Sequence, residues 1–118
     1  MERPKTIFCD IDGTLVRHDP PSEITKPGYQ MQLLPGTIEK ISEWERKGYR
    51  IILTTGRKES LRSLTEKQLS EVGIFYDILI TGIGGGIRYL INDNKPDGEI
   101  SCFAISVDRN KGLKDVEI

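Results

Sequence analysis

The sequence predicts an α/β fold built on a mainly parallel sheet. Short apolar runs alternate with helical patterns along the chain, and no repeat, low-complexity tract or linker interrupts them. Three polar clusters, Asp10 to Thr14, Thr54 to Arg57 and Asn92 to Asn94, each follow an apolar run. Open α/β sheets hold ligands outside the carboxyl ends of their strands, so clusters distant in sequence would meet at one edge.

Thr6 to Cys9 is a short apolar strand that opens the sheet. Arg17 to Pro27 is polar and Pro-rich, too full of breakers for helix or buried strand. Pro35 and Gly36 then precede a segment in which Ile38, Ile41 and Trp44 or Glu45 recur at helical spacing. Lys47 and Gly48 suit the end of that helix. Tyr49 to Leu53 reads as a second buried strand, closed by Thr54-Thr55-Gly56-Arg57. A second helix runs from about Lys58 to Glu71, with Leu61, Leu64, Gln68 and Leu69 on one side, and stops at Gly73. Asp77 to Thr81 reads as a third strand, Ile87 to Ile91 as a fourth and Ser101 to Val107 as a fifth.

The 118 residues are expected to form one domain, with 36% hydrophobic and 30% charged residues. A net charge of -1 carries no electrostatic footprint for nucleic acid or for an anionic membrane. No apolar run is long enough to span a bilayer, and Met1 to Lys5 lead into a strand rather than a signal peptide, so a cytoplasmic address is expected. Cys9 and Cys102 each sit in an apolar run and are expected to fill core positions as reduced thiols.

Asp10 and Asp12 flank Ile11 directly after the first strand. Two carboxylates some 5 Å apart repel by roughly 3 kcal/mol at an effective dielectric of 20. A divalent cation or a shared proton relieves that repulsion, which makes the pair a natural site for a hard cation. Gly13 permits a tight turn and a close approach of backbone N–H groups to an anion. An aspartate is also a competent nucleophile toward phosphorus. Such chemistry needs cationic charge and backbone donors together. Taken alone, a D-x-D-G run is also compatible with a solvated turn or a Ca²⁺ loop, but the latter needs more oxygen ligands than this stretch supplies.

Phe8-Cys9-Asp10-Ile11-Asp12-Gly13-Thr14-Leu15 resembles the first motif of the haloacid dehalogenase-like superfamily. The resemblance implies a Rossmann-like three-layer sandwich with a mainly parallel sheet, a phosphorylated Asp10, Asp12 as general acid and base, and Mg²⁺ held by Asp10, Asp12 and the backbone carbonyl of Ile11. Ile51-Ile52-Leu53-Thr54-Thr55-Gly56-Arg57 is similar to the second motif. There Thr55 would bond the phosphoryl group, with Thr54 as the fallback, beside Gly56 and Arg57. Leu90-Ile91-Asn92-Asp93-Asn94-Lys95-Pro96 resembles the fourth motif, placing Asp93 and Asn92 in the Mg²⁺ shell.

The chain departs from the family's pattern at the third motif. No lysine occurs between Lys67 and Lys95, and Arg88 takes its place as the phosphate-binding cation, with Arg57 and Lys58 as competitors. Only Gly82-Ile83-Gly84-Gly85-Gly86 separates the third and fourth expected strands, although a parallel crossover usually needs about 10–12 residues. Either one of those strands is absent, or the glycines make an extended crossing. Gly82-x-Gly84 could serve as a dinucleotide loop only if a helix followed, and none is expected.

Residues 17–34 occupy the place where larger relatives insert a cap, so the resemblance is to capless members with an open site. His18 on this flap reads as a solvated loop histidine, and the Asp108-Arg109-Asn110 stretch has no assignable role. The expected function is Mg²⁺-dependent hydrolysis of a small phosphomonoester, a sugar phosphate by resemblance, with no nucleic-acid or membrane partner and with scope for a homo-oligomer. The rivals are a degenerate module that keeps phosphate and Mg²⁺ affinity without turnover, and a phospho-acceptor switch.

Overall fold

A computed structural model describes residues 3–118. Its centre is a parallel sheet of three strands in the order β1 (Thr6–Asp10), β2 (Arg50–Thr54) and β3 (Ile78–Ile80). Alternation along β1 buries Ile7 and Cys9 and leaves Thr6 and Phe8 exposed. In register, Cys9, Leu53 and Leu79 form one buried row, while Asp10, Thr54 and Ile80 form the row above it on the opposite face. The Asp77 side chain accepts from the Ile51 amide at 2.7 Å and its own amide donates back to the Ile51 carbonyl at 2.8 Å, which fixes where β3 starts.

Between β1 and β2 lie a short helix, α1 (Pro21–Ile24), and a ten-residue helix, α2 (Thr37–Arg46). Between β2 and β3 a single 3₁₀ turn (Glu59–Leu61) leads into α3 (Arg62–Glu71). Ile41 and Trp44 of α2 and Leu69 of α3 pack with Ile7, Cys9, Ile51, Leu53 and Leu79 in one core. Both helices serve the same face because successive parallel crossovers are right-handed and proceed in one direction along the sheet. Trp44 is 2% exposed, so truncating it to Ala is expected to cost about 3–5 kcal/mol. On the other face Phe8, Ile78 and Ile80 keep 38–55% of their surface in solvent. No helix among the described residues is long and apolar enough to cross a membrane, and there is no cap domain among them.

The flap differs modestly from its reading as breaker-rich loop. Pro21 at the first turn starts α1, and Ile24 at its end is buried. Val16 bridges Leu33 in antiparallel fashion, and the Thr37 hydroxyl donates to the Leu15 carbonyl at 2.6 Å, so both ends of residues 17–34 are tied to the loop after β1.

The fourth and fifth expected strands do not form. Ile87 to Ile91 and Ser101 to Val107 lie outside any strand, and Ile87, Tyr89, Ile91 and Phe103 are more than three-quarters exposed. The two segments are joined by a turn in which the Lys95 amide donates to Glu99 and the Gly98 amide to Lys95, both at 2.8 Å. The physical reason lies in the short glycine-rich stretch of residues 82–86. Fully extended, the chain gains about 3.3–3.6 Å per residue, too little to clear the sheet and re-enter at the far end beside β1. It crosses the carboxyl ends of the strands instead. The Gly82 amide donates to the Arg57 carbonyl at 2.7 Å and the Ile83 amide to the Thr55 carbonyl at 3.0 Å. A Cβ on Gly56 would stand 3.0 Å from the Ile83 carbonyl, so glycine at that position lets the crossing lie close. Cys102, expected in the core, is half-buried on this ribbon, whereas Cys9 is buried; both are free thiols.

Candidate active site

The site forms at the end of β1 because the loop that follows is over-determined. The Ile11 amide extends the ladder to the Thr54 carbonyl at 3.2 Å. The Ile11 carbonyl then accepts from the amides of Thr14, Leu15 and Val16 at 3.2, 2.9 and 3.2 Å, and Gly13 turns the chain at φ +91°. Ile11, Leu15 and Val16 are fully buried. This geometry corrects one expectation. A carbonyl that already takes three amides has no lone pair for a cation, so Ile11 is not a metal ligand. The amide and carbonyl of Asp12 have no hydrogen-bond partner among the described residues and are the free backbone groups of the turn.

Asp10 is half-buried. The Thr14 hydroxyl donates to its Oδ2 at 3.3 Å, and no hydrogen bond engages its Oδ1 among the described residues. Burial pushes its carboxyl above the ordinary carboxylate value; the Arg88 charge and the Thr14 hydroxyl pull it back, and the neighbouring Asp12 charge adds to the rise. Arg88 therefore lies within electrostatic reach of Asp10, carried there by the glycine crossing. Its own guanidinium forms no ion pair among the described residues.

Asp12 is held differently. Arg57 Nε donates to its Oδ2 at 3.1 Å and Nη2 to its Oδ1 at 2.9 Å, a bidentate pair with the guanidinium 4% exposed. Arg57 Nη1 donates to Gln68 Oε1 at 2.7 Å and to Thr65 Oγ1 at 3.3 Å. Gln68 in turn donates to the Ile24 carbonyl of the flap at 2.8 Å. The Thr55 hydroxyl donates to Asp12 Oδ2 at 3.3 Å and accepts from the Arg57 amide at 3.0 Å. Arg57 and Thr55 were both expected to bind phosphate. In the structure four of the five guanidinium N–H groups are spent on Asp12, Gln68 and Thr65, and Thr55 is wholly buried with its hydroxyl turned to Asp12. Both orient Asp12. The fallback residue, Thr54, pairs with Asp10 in register on the same face and is half-exposed, with no side-chain hydrogen bond among the described residues.

Asn92 and Asp93 lie on the exposed ribbon, where Asn92 Nδ2 donates to Ser101 Oγ at 2.7 Å and the Ser101 hydroxyl bonds the Asp93 carbonyl. Among the described residues no three His, Cys, Asp or Glu side chains gather into a group that could hold a metal, so the structure does not bring Asp93 to Asp10 and Asp12. Without a fourth strand beside β1, nothing carries that pair to the strand end.

Sequence reasoning missed three contributors. Thr65 and Gln68 look like ordinary positions on an amphipathic helix, and only the buried arginine partner reveals them. Asn110 looks like part of a tail, yet its amide donates to the Gly13 carbonyl at 2.8 Å.

A family model described as haloacid dehalogenase-like hydrolase matches residues 7–93, the stretch from β1 through the ribbon. The chain belongs to the haloacid dehalogenase-like hydrolases. Among solved structures, a chain of a Pnkp1/Rnl/Hen1 complex is 30% identical with a TM-score of 0.57, over 73% of this chain and 30% of that one. A chain of the Pnkp1/Rnl/Hen1 RNA repair complex gives 30% identity and a TM-score of 0.58, over 72% and 28%. This hydrolase-like chain thus spans less than a third of those relatives. A crystal structure of a structural-genomics target from Vibrio cholerae shares the fold at 18% identity and a TM-score of 0.53, over 75% of this chain and 79% of that one. No curated protein matches.

Proposed function

We propose that the chain hydrolyses a small phosphomonoester by passing the phosphoryl group through Asp10. One observation carries the reading: at the end of β1 a half-buried carboxylate with a free Oδ1 stands beside the unbonded Asp12 amide, with the Arg88 charge acting on it. Those are a nucleophile, a backbone donor and a cation, the set that phosphoryl transfer needs. The Thr54 hydroxyl, next to Asp10 in the sheet, is the further donor to the phosphoryl oxygens.

Asp10 attacks phosphorus in line, the bond to the leaving oxygen breaks, and Asp12 gives that oxygen its proton. Water, deprotonated by Asp12, then cleaves the acyl phosphate, releasing inorganic phosphate and restoring Asp10. Arg57 fixes where Asp12 points. Of the contacts to Asp12 Oδ2, the one from Thr55 at 3.3 Å is longest and is the one to give way when a proton is exchanged. The donor set of the Asp10 carboxylate and the Asp12 carbonyl is hard oxygen throughout, which fits Mg²⁺, a cation that keeps several waters and uses one or two carboxylates. When bound there, Mg²⁺ would supply charge that offsets the phosphate and the nucleophile during transfer.

A second reading is favoured by the Asp12–Arg57 pair. A carboxylate with both oxygens given to a buried guanidinium can serve as a structural anchor, leaving a module that binds phosphate without turnover. The two separate in one assay with p-nitrophenyl phosphate and a panel of sugar phosphates plus a 3′-phosphorylated oligoribonucleotide, with and without Mg²⁺. The phosphatase reading expects Mg²⁺-dependent release that vanishes in Asp10→Asn and in Asp12→Asn. Release that survives Asp10→Asn excludes the nucleophile; phosphate binding without any release favours the module. Turnover confined to the oligoribonucleotide would move the substrate class toward polynucleotide ends.

A further inference from the structure

The segment after the ribbon returns to the site. The Asn110 backbone amide donates to the Gly13 carbonyl at 2.8 Å, and Asn110 Oδ1 accepts from the His18 amide at 2.8 Å, so one residue ties the flap and the loop after β1 together. Asn110 does so at φ +63°, a left-handed conformation that asparagine tolerates better than most residues. Beyond it the Leu113 amide donates to the Pro35 carbonyl at 2.8 Å, and Leu113 is 4% exposed. A Cβ on Gly36 would stand 2.5 Å from the Lys114 amide nitrogen, so the contact is close backbone packing. The segment is seated, not loose.

This seating lays the Arg109 side chain across Gly13. Its Cγ stands 3.2 Å and its Nε 3.8 Å from where a Gly13 Cβ would be, beside His18 Cβ at 3.7 Å. Arg109 is exposed and has neither a hydrogen bond nor an ion pair among the described residues. Six exposed or half-buried arginines elsewhere would mean little, but this one is placed on the residue next to Asp12. In an in-line transfer the group that protonates the leaving oxygen stands on the leaving-group side, opposite the nucleophile. Arg109 lies over the residue that follows Asp12, the acid of the proposed reaction, whereas the Arg88 charge bears on the Asp10 carboxylate.

We propose that Arg109 is a specificity-determining residue that binds a second anionic group on the leaving group, so that the preferred substrates are sugar bisphosphates or similarly doubly charged esters. The inference rests on the phosphatase reading for the meaning of "leaving group", and its test is chosen to be legible without turnover. Calorimetry compares glucose 1-phosphate with glucose 1,6-bisphosphate on the wild-type chain and on Arg109→Ala and Arg109→Lys. A guanidinium–phosphate contact at a partly exposed site supports a preference of about ten-fold for the bisphosphate. Arg109→Ala is expected to abolish that preference, and Arg109→Lys to keep part of it, since the charge remains and the planar fork is lost. No preference in the wild type, or an equal preference in Arg109→Ala, overturns the proposal. Where turnover is measured, the kcat/KM ratio of bisphosphate to p-nitrophenyl phosphate must fall in parallel. Lack of turnover with the binding preference intact would instead sink the phosphatase reading alone.

Discussion

Replacing Arg57 with Met keeps the volume and the apolar stem but removes the guanidinium. Its four hydrogen bonds, at 3.1 and 2.9 Å to Asp12, 2.7 Å to Gln68 and 3.3 Å to Thr65, disappear together. Removing one partner of a buried pair usually costs about 3–5 kcal/mol, because the other charge stays behind uncompensated. Asp12 is 17% exposed, so water can reach it in part, and the low end, about 3 kcal/mol, is expected. At about 4 °C per kcal/mol for a domain of this size, the melting temperature should fall by roughly 12 °C. Circular dichroism melts of Arg57→Met, Asp12→Asn and the double variant check this. Neutralising Asp12 removes the stranded charge, so the double variant should be more stable than Arg57→Met alone. If Arg57 were instead a phosphate ligand, Arg57→Met would leave the melt within about 1 kcal/mol of wild type and raise KM. That outcome, or a double variant weaker than Arg57→Met, would refute the assignment of Arg57 to Asp12.

Gln68→Leu should strand an Arg57 N–H and the Ile24 carbonyl at a cost of about 2 kcal/mol, and it should speed proteolysis within residues 17–34; an unchanged flap with a weakened melt would confine Gln68 to the core. Burial, with the Asp10 charge adding to it, pushes the Cys9 thiol up to about 12, so a disulfide reagent at pH 8 should label Cys102 in the native chain and Cys9 only after unfolding; rapid labelling of both would contradict the packing of β1. A hydrogen bond from Tyr29, reinforced by Arg17, holds the Asp19 carboxyl below its ordinary value. Its contribution to flap stability is therefore present above the unfolded carboxylate value and is lost as pH falls through the folded one. Tyr29→Phe should raise the Asp19 pKa in a carboxyl NMR titration and lessen the acid-induced loss; an unmoved Asp19 would show that the Tyr29 bond is not the cause.

Much of the core architecture is written locally. The alternation of Thr6 to Asp10, the run Ile51-Ile52-Leu53 and the helical spacing of Ile41 and Trp44 specify elements that form where local pattern places them, because each buries its own apolar side. Asp10 at a strand end is legible for the same reason: one strand and one glycine turn suffice to present it. Ile87 to Ile91 has the composition of a strand and is not one, since a strand needs a partner edge and the glycine run cannot deliver it to β1. Arg57 shows the same limit for a side chain. Its position beside Thr55 and Gly56 suggested phosphate, but its fate was decided by Thr65 and Gln68, brought opposite it when α3 folded back on the sheet. Sequence alone determined where β1, β2 and the two longer helices form and that Asp10 stands at a strand end. Tertiary structure alone decided what each polar group is paired with, because burying a charge forces it to find a partner, and partners are chosen by distance in space rather than along the chain.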